Sequence, residues 1–136
     1  MKRVLVVEDE RHLADGLRFN LEAEGYQVEV AETGEAALEL LAKGSPAFDV
    51  VVLDVMLPGM DGFEICHRLR SEPDTAQLLI LMFSAKAQEI DKNTGLKVGA
   101  DDYLPKPAAP AEIVSRVAKL LEKKKSITTA EEKVSG

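Results

Sequence analysis

Three short apolar runs, Val4 to Val7, Val50 to Leu53 and Leu78 to Phe83, carry no polar alternation and are each followed at once by a polar side chain: Glu8, Asp54 and Ser84. Unbroken runs of this length read as strands covered on both faces, the pattern of a parallel sheet. Gln27 to Ala31, which alternates, and the short Asp102 to Leu104 are two weaker strand candidates. The segments between them have helical spacing: Leu13, Leu17 and Leu21; Ala37, Leu40 and Leu41; Gly62, Ile65, Cys66 and Leu69; Ile113, Val117, Leu120 and Leu121. Ala87 to Val98 carries Gly95 and only a thin apolar stripe, so a marginal, mobile helix is expected there. Glu24-Gly25, Lys43-Gly44-Ser45-Pro46 and Gly99 punctuate the helix ends. Five strand-helix units predict an α/β fold, a doubly wound, five-stranded parallel sheet with five helices in three α/β/α layers joined by right-handed crossovers.

Those units use nearly all of the 136 residues, leaving no space for a second domain. Lys123 to Gly136 has no apolar period and is expected to be a flexible tail or truncated linker. The formal net charge of −7 argues against a nucleic-acid binder that neutralises phosphates, and against docking on an anionic membrane. With one cysteine, Cys66, there is no disulfide framework. The apolar run behind Met1-Lys2-Arg3 is too short for a signal peptide or a membrane span, so a cytoplasmic location is expected.

Parallel strands point the same way, and the residues that end them gather at one edge of the sheet, where open α/β folds bind ligands. Glu8 and Asp9, then Asp54, Ser84 and Lys106, meet at that edge. Clustered carboxylates repel one another and call for a cation, and an all-oxygen donor set favours Mg²⁺, or Mn²⁺, over zinc or copper. Lys106 supplies a point charge for an anion and Ser84 a hydroxyl donor. The set suits a phosphoryl group beside a metal. Asp54, ending the most apolar strand, is the carboxylate placed to act as nucleophile and form an acyl phosphate.

Four segments then carry a resemblance: Val6-Val7-Glu8-Asp9-Glu10, Val52-Leu53-Asp54-Val55-Met56-Leu57-Pro58-Gly59-Met60-Asp61-Gly62, Phe83-Ser84-Ala85 and Gly99-Ala100-Asp101-Asp102-Tyr103-Leu104-Pro105-Lys106-Pro107. In this order and spacing, across residues 2 to about 121, the sequence resembles a receiver domain of two-component response regulators, the CheY-like family with its flavodoxin-like fold. The resemblance implies that residues 1–122 are the receiver and that Asp54 is the phosphoacceptor, loaded from a phosphohistidine on a sensor histidine kinase or a histidine phosphotransfer protein. It implies Mg²⁺ at Asp9, Asp54 and the backbone carbonyl of Met56, with Glu8 acting through water. It implies that Lys106 pairs with phosphoryl oxygens, that Ser84 moves to bond one of them, and that Tyr103 turns inward behind it. A cis peptide at Lys106-Pro107 is also expected, and the small Ala85 leaves space for the phosphate. The chain departs from the family in having Glu8 where many members have Asp, and Ala108 where an aromatic is common.

Plainer roles exist for several of these residues. Asp9 is placed to cap the first helix, and Asp61 to cap the third. His12 and His67 read as solvated, Cys66 as a small core hydrophobe, and Tyr103 as either a switch residue or an exposed contact for a partner. A haloacid-dehalogenase-type phosphatase would need a second acid at Met56, and a nucleotide site would need a Gly-rich turn where Glu8-Asp9-Glu10 stands. A receiver-like module that only binds partners would not need Asp54 and Lys106. The protein therefore reads as a signalling phosphoacceptor and not an enzyme, its own chemistry limited to self-phosphorylation from a phosphodonor and slow autodephosphorylation. Its output is a separate protein or a linked domain.

A bistable element must carry the signal away. The Ser84 and Tyr103 pair links the site to the face made by the fourth helix, fifth strand and fifth helix. In receivers of winged-helix transcription factors that face forms a symmetric dimer. Here Lys92 with Glu112, and Asp101 or Asp102 with Arg116, are the candidate pairs across a twofold; Lys97 would face Ala118. A weak, phosphorylation-enhanced homodimer is expected.

Overall fold

The apolar runs form the centre of a parallel sheet. The computed structural model describes residues 2–42, 48–85, 97 and 99–135. The chain runs β1 (Arg3–Val7), α1 (Arg11–Ala23), β2 (Gln27–Ala31), α2 (Gly34–Ala42), β3 (Val50–Leu53), α3 (Gly62–Ser71), β4 (Leu79–Ser84), β5 (Asp102–Pro105) and α4 (Pro110–Ser135). All the strands are parallel, in the order β2-β1-β3-β4-β5. The chain winds outward from β1 to β2, then returns past β1 to β3, β4 and β5. The reversal opens a crevice at the carboxyl ends of β1 and β3.

Strand alternation assigns each side chain to a layer. Val4, Val6, Val50, Val52, Leu81, Phe83 and Leu104 face one side, where Leu17 and Leu21 of α1 and Ile113, Val117 and Leu120 of α4 cover them. Leu5, Val7, Val51, Leu53, Ile80, Met82 and Tyr103 face the other, under Ala37 of α2 and Ile65, Cys66 and Leu69 of α3. Each buried Leu, Ile or Val contributes roughly 1.5–3 kcal/mol relative to exposure, so both layers are held by the same kind of force. The helices start and stop on local signals. Asp61 caps α3 by accepting the Glu64 N–H at 2.9 Å. Gly25, at φ 93°, turns the chain out of α1 in a region where a side chain would be strained.

Several boundaries differ from the expectation. β4 begins at Leu79, because the Leu78 N–H is taken by a turn to the Thr75 carbonyl, and β5 extends through Pro105. The last helix continues to Ser135 instead of ending near Leu121, so residues 123–135, expected as a tail or linker, are helical backbone. No Gly or Pro interrupts the stretch from Ala111 to Ser135, and its Lys, Glu and Ala residues favour helix. Four helices are seen among the described residues; most of the fifth, expected over Ala87 to Val98, lies outside them. Among the described residues no helix is long and apolar enough to cross a membrane.

Candidate functional site

Each chemistry-bearing residue sits where a strand has just ended, and a backbone bond to the next strand extends the ladder to hold it. The Glu8 N–H donates to the Ala31 carbonyl at 3.0 Å, the Asp54 N–H to Val7 at 3.0 Å and the Lys106 N–H to Ser84 at 2.7 Å. These bonds tie the end of β1 to β2 and to β3, and the end of β5 to β4, before any side chain is placed. The Lys106-Pro107 peptide is cis, as expected.

The side chains converge on Lys106. Its Nζ lies 2.6 Å from Glu8 Oε1 and 3.2 Å from Asp54 Oδ2, and 5.2 Å from the centre of the Phe83 ring. The second oxygen of each acid is held by the main chain: Glu8 Oε2 accepts the Glu10 N–H at 3.1 Å, and Asp54 Oδ1 accepts the Met56 N–H at 3.0 Å. Both carboxylates are almost closed to solvent, at 3% and 5% exposure. Burial pushes the Glu8 carboxyl up to about 7, against the opposing pull of its bond to Lys106. Burial would lower the Lys106 ammonium, but the Glu8 hydrogen bond and the Asp54 charge outweigh it and raise it.

Asp9 completes the set from the exposed side. One oxygen from each of Glu8, Asp9 and Asp54 lies within 4.8 Å of the others. Among the described residues three acids face one ammonium, which leaves negative charge for a hard cation to balance, and the oxygen donors fit Mg²⁺. Asp9 does not cap α1. Glu10 does, accepting the His12 and Leu13 N–H groups at 3.2 and 3.0 Å, which leaves Asp9 to the cluster.

The other expected residues are placed as follows. Ser84 is buried at the end of β4. Tyr103 is also buried, on the same sheet face as Met82, its register partner; the exposed-contact alternative is ruled out here. The Met56 side chain is exposed. His12 and His67 are exposed, and burial raises the Cys66 thiol to about 11. On the candidate dimer face, Arg116 already binds Asp102 of its own chain at 2.9 Å and Asp101 binds Arg70 at 2.8 Å, while Glu112 lies 3.8 Å from Arg116. Lys92 lies outside the described residues.

Sequence reading missed Arg70. From the last turn of α3 it donates to the carbonyls of Gly99, Ala76 and Leu78 and to Asp101 Oδ2. No local pattern announces a residue whose partners lie up to 31 positions away. It also missed the Glu8 bond to Lys106, across 98 positions, although the extra methylene of Glu8 was the available signal.

The sequence profile described as the response regulator receiver domain matches residues 4–118. Among solved structures, a protein of Chloroflexus aurantiacus J-10-fl described as a response regulator is 40% identical over 89% of this chain and 98% of its own, with a TM-score of 0.82. The BeF3-activated receiver domain of DrrB, from Thermotoga maritima, is 31% identical over 90% of this chain and 98% of its own, with a TM-score of 0.80. The chemotaxis protein CheY4 of Vibrio cholerae is 32% identical over 88% and 98%, with a TM-score of 0.81.

Proposed function

Because this chain belongs to the response regulator receiver domain family, we propose that Asp54 accepts a phosphoryl group from the phosphohistidine of a partner histidine kinase or histidine phosphotransfer protein, in the cytoplasm. The observation that carries this reading is the buried Asp54 carboxylate, one oxygen bonded to Lys106 and the other to the Met56 N–H, with Glu8 and Asp9 at metal-ligand spacing.

An Asp54 carboxylate oxygen attacks phosphorus, an O–P bond forms, and the P–N bond breaks with its electron pair leaving on the imidazole. The Met56 N–H orients Asp54 by fixing one oxygen, so that the other is the free nucleophile once Lys106 is drawn to the incoming phosphoryl oxygens. Mg²⁺, or Mn²⁺, would be held by Asp9, Asp54 and the Met56 carbonyl, with Glu8 behind a water, and would supply charge neutralisation for the transferring oxygens. Ser84 would move to donate its hydroxyl to the phosphoryl group, and Tyr103, already buried, would be held inward behind it. The change would reach the face that includes β5 and the start of α4, and thence an output protein or linked domain. Self-phosphorylation from small phosphodonors and slow autodephosphorylation belong to the same chemistry.

Intact-mass spectrometry after incubation with acetyl phosphate and Mg²⁺ tests the reading. One added phosphoryl group is expected, absent with a chelator and absent in Asp54→Ala. No added group, or one that survives Asp54→Ala, would overturn it. The reading extends to a phosphorylation-enhanced homodimer in which Arg116 exchanges its own Asp102 for that of a second copy. Light scattering with beryllofluoride should then show a rise in mass; an unchanged monomer would rule it out.

A further inference from the structure

The first residue of α3 lies against the main chain that carries the phosphoacceptor. The Gly62 N–H donates to the Val55 carbonyl at 2.9 Å. A Cβ built on Gly62 would fall 2.6 Å from the Asp54 carbonyl oxygen, 2.7 Å from the Val55 Cα and 3.1 Å from the Asp54 carbonyl carbon. All three are backbone atoms, and none can rotate out of the way. Gly62 has no positive φ, so what this position demands is space and not an unusual conformation. Helix propensity alone would favour Ala there.

The crowded peptide is the one that leaves Asp54. Two residues on, the Met56 N–H holds Asp54 Oδ1, so a displacement of the 54–55 peptide changes the aim of the carboxylate and of the Met56 backbone together. Resting on the receiver reading above, we infer that Gly62 is a positioning residue: its bare Cα lets α3 seat directly on the Asp54–Val55 peptide, and that seat sets the oxygen donors that meet the metal and the phosphoryl group.

Gly34, at the start of α2, provides a matched control. A Cβ there would meet Ile65 Cδ1 at 2.8 Å, Ile65 Cγ1 at 3.2 Å and Met60 Cβ at 3.2 Å, which are side-chain atoms away from the carboxylates. Gly34→Ala therefore crowds the α2–α3 contact without pressing on the main chain at Asp54. The experiment compares wild type, Gly62→Ala and Gly34→Ala by calorimetric titration with Mg²⁺ alone and by the rate of phosphorylation from acetyl phosphate, with thermal melts alongside. Gly62→Ala should weaken Mg²⁺ binding about tenfold or more and slow phosphorylation by a similar factor, while Gly34→Ala stays within about twofold on both. Wild-type Mg²⁺ affinity in Gly62→Ala, or equal loss in both variants, would overturn the inference. If Gly62→Ala does not fold, hydrogen exchange in wild type decides: the Gly62 amide should gain protection on adding Mg²⁺, and unchanged protection would overturn it. Wild type that binds no Mg²⁺ would instead overturn the receiver chemistry itself, so the two failures are distinct.

Discussion

The two edges of the sheet handle charge in opposite ways. At the amino-terminal edge Arg70 meets one carboxylate, Asp101, and three main-chain carbonyls, and Asp101 also accepts the Ile80 N–H at 2.8 Å. Its charges balance. At the carboxyl-terminal edge Lys106 is the one cation among the described residues that pairs with Glu8 and Asp54, with Asp9 beside them. Among those residues the edge holds more acids than cations, and burial lifts Glu8 to about 7. A saturated network has nothing left to bind, whereas an unbalanced one is poised for a cation and an anion together.

The sharpest way to break this comparison is to remove each cation in turn. Arg70→Met should cost about 3 kcal/mol by denaturant unfolding, since three part-buried carbonyls lose their donor, and Mg²⁺ should not restore it. Lys106→Met, in chelator at pH 8, should cost about 2 kcal/mol because Glu8 and Asp54 lose their ammonium. Here Mg²⁺ should recover the stability and bind about tenfold more tightly than to wild type. Equal rescue of both variants, or of neither, would erase the distinction between the edges.

A smaller effect is the pH dependence of metal-free wild type. Between the ordinary 4.5 of Glu8 and its folded value of about 7, the folded state keeps a proton that the unfolded chain has lost. Stability should therefore fall as pH rises through that window. Glu8→Gln should flatten this slope, as should saturating Mg²⁺, which favours the ionised carboxylate. Thermal melts from pH 4.5 to 8 would show it, and a slope unchanged in Glu8→Gln would assign it elsewhere.

The smallest expected signal comes from Cys66, buried on α3 one turn before Arg70. With its thiol raised to about 11, it should resist alkylation at pH 8 in native wild type. It should become reactive in Arg70→Met as that edge opens more often. Equal labelling of the two proteins would mean that Arg70 does not hold the amino-terminal edge closed.

The apolar runs placed β1, β3 and β4 nearly to the residue, because a strand covered on both faces cannot interrupt its hydrophobicity. The same logic made Glu8, Asp9, Asp54 and Lys106 legible as one cluster, with Ser84 at the same edge: strand ends in a parallel sheet must share an edge, whatever the loops do. Where neighbouring acids could share one role, the sequence misled. It placed Asp9 as a cap for α1, whereas Glu10 takes that role by accepting the His12 and Leu13 N–H groups. Tyr103 was legible as a strand residue but not as a buried one.

The sequence by itself determined the order of elements, their faces and the chemistry collected at one edge, since these follow from periodicity and chain direction. Only the tertiary structure decided that Lys106 bonds Glu8 as well as Asp54, that Arg70 closes the opposite edge, and that α3 rests on the Asp54 main chain at Gly62. Those outcomes depend on tenths of an ångström between residues far apart in the chain. A periodic pattern records which side of an element is buried; which of several neighbours a side chain meets there is fixed only when the layers pack.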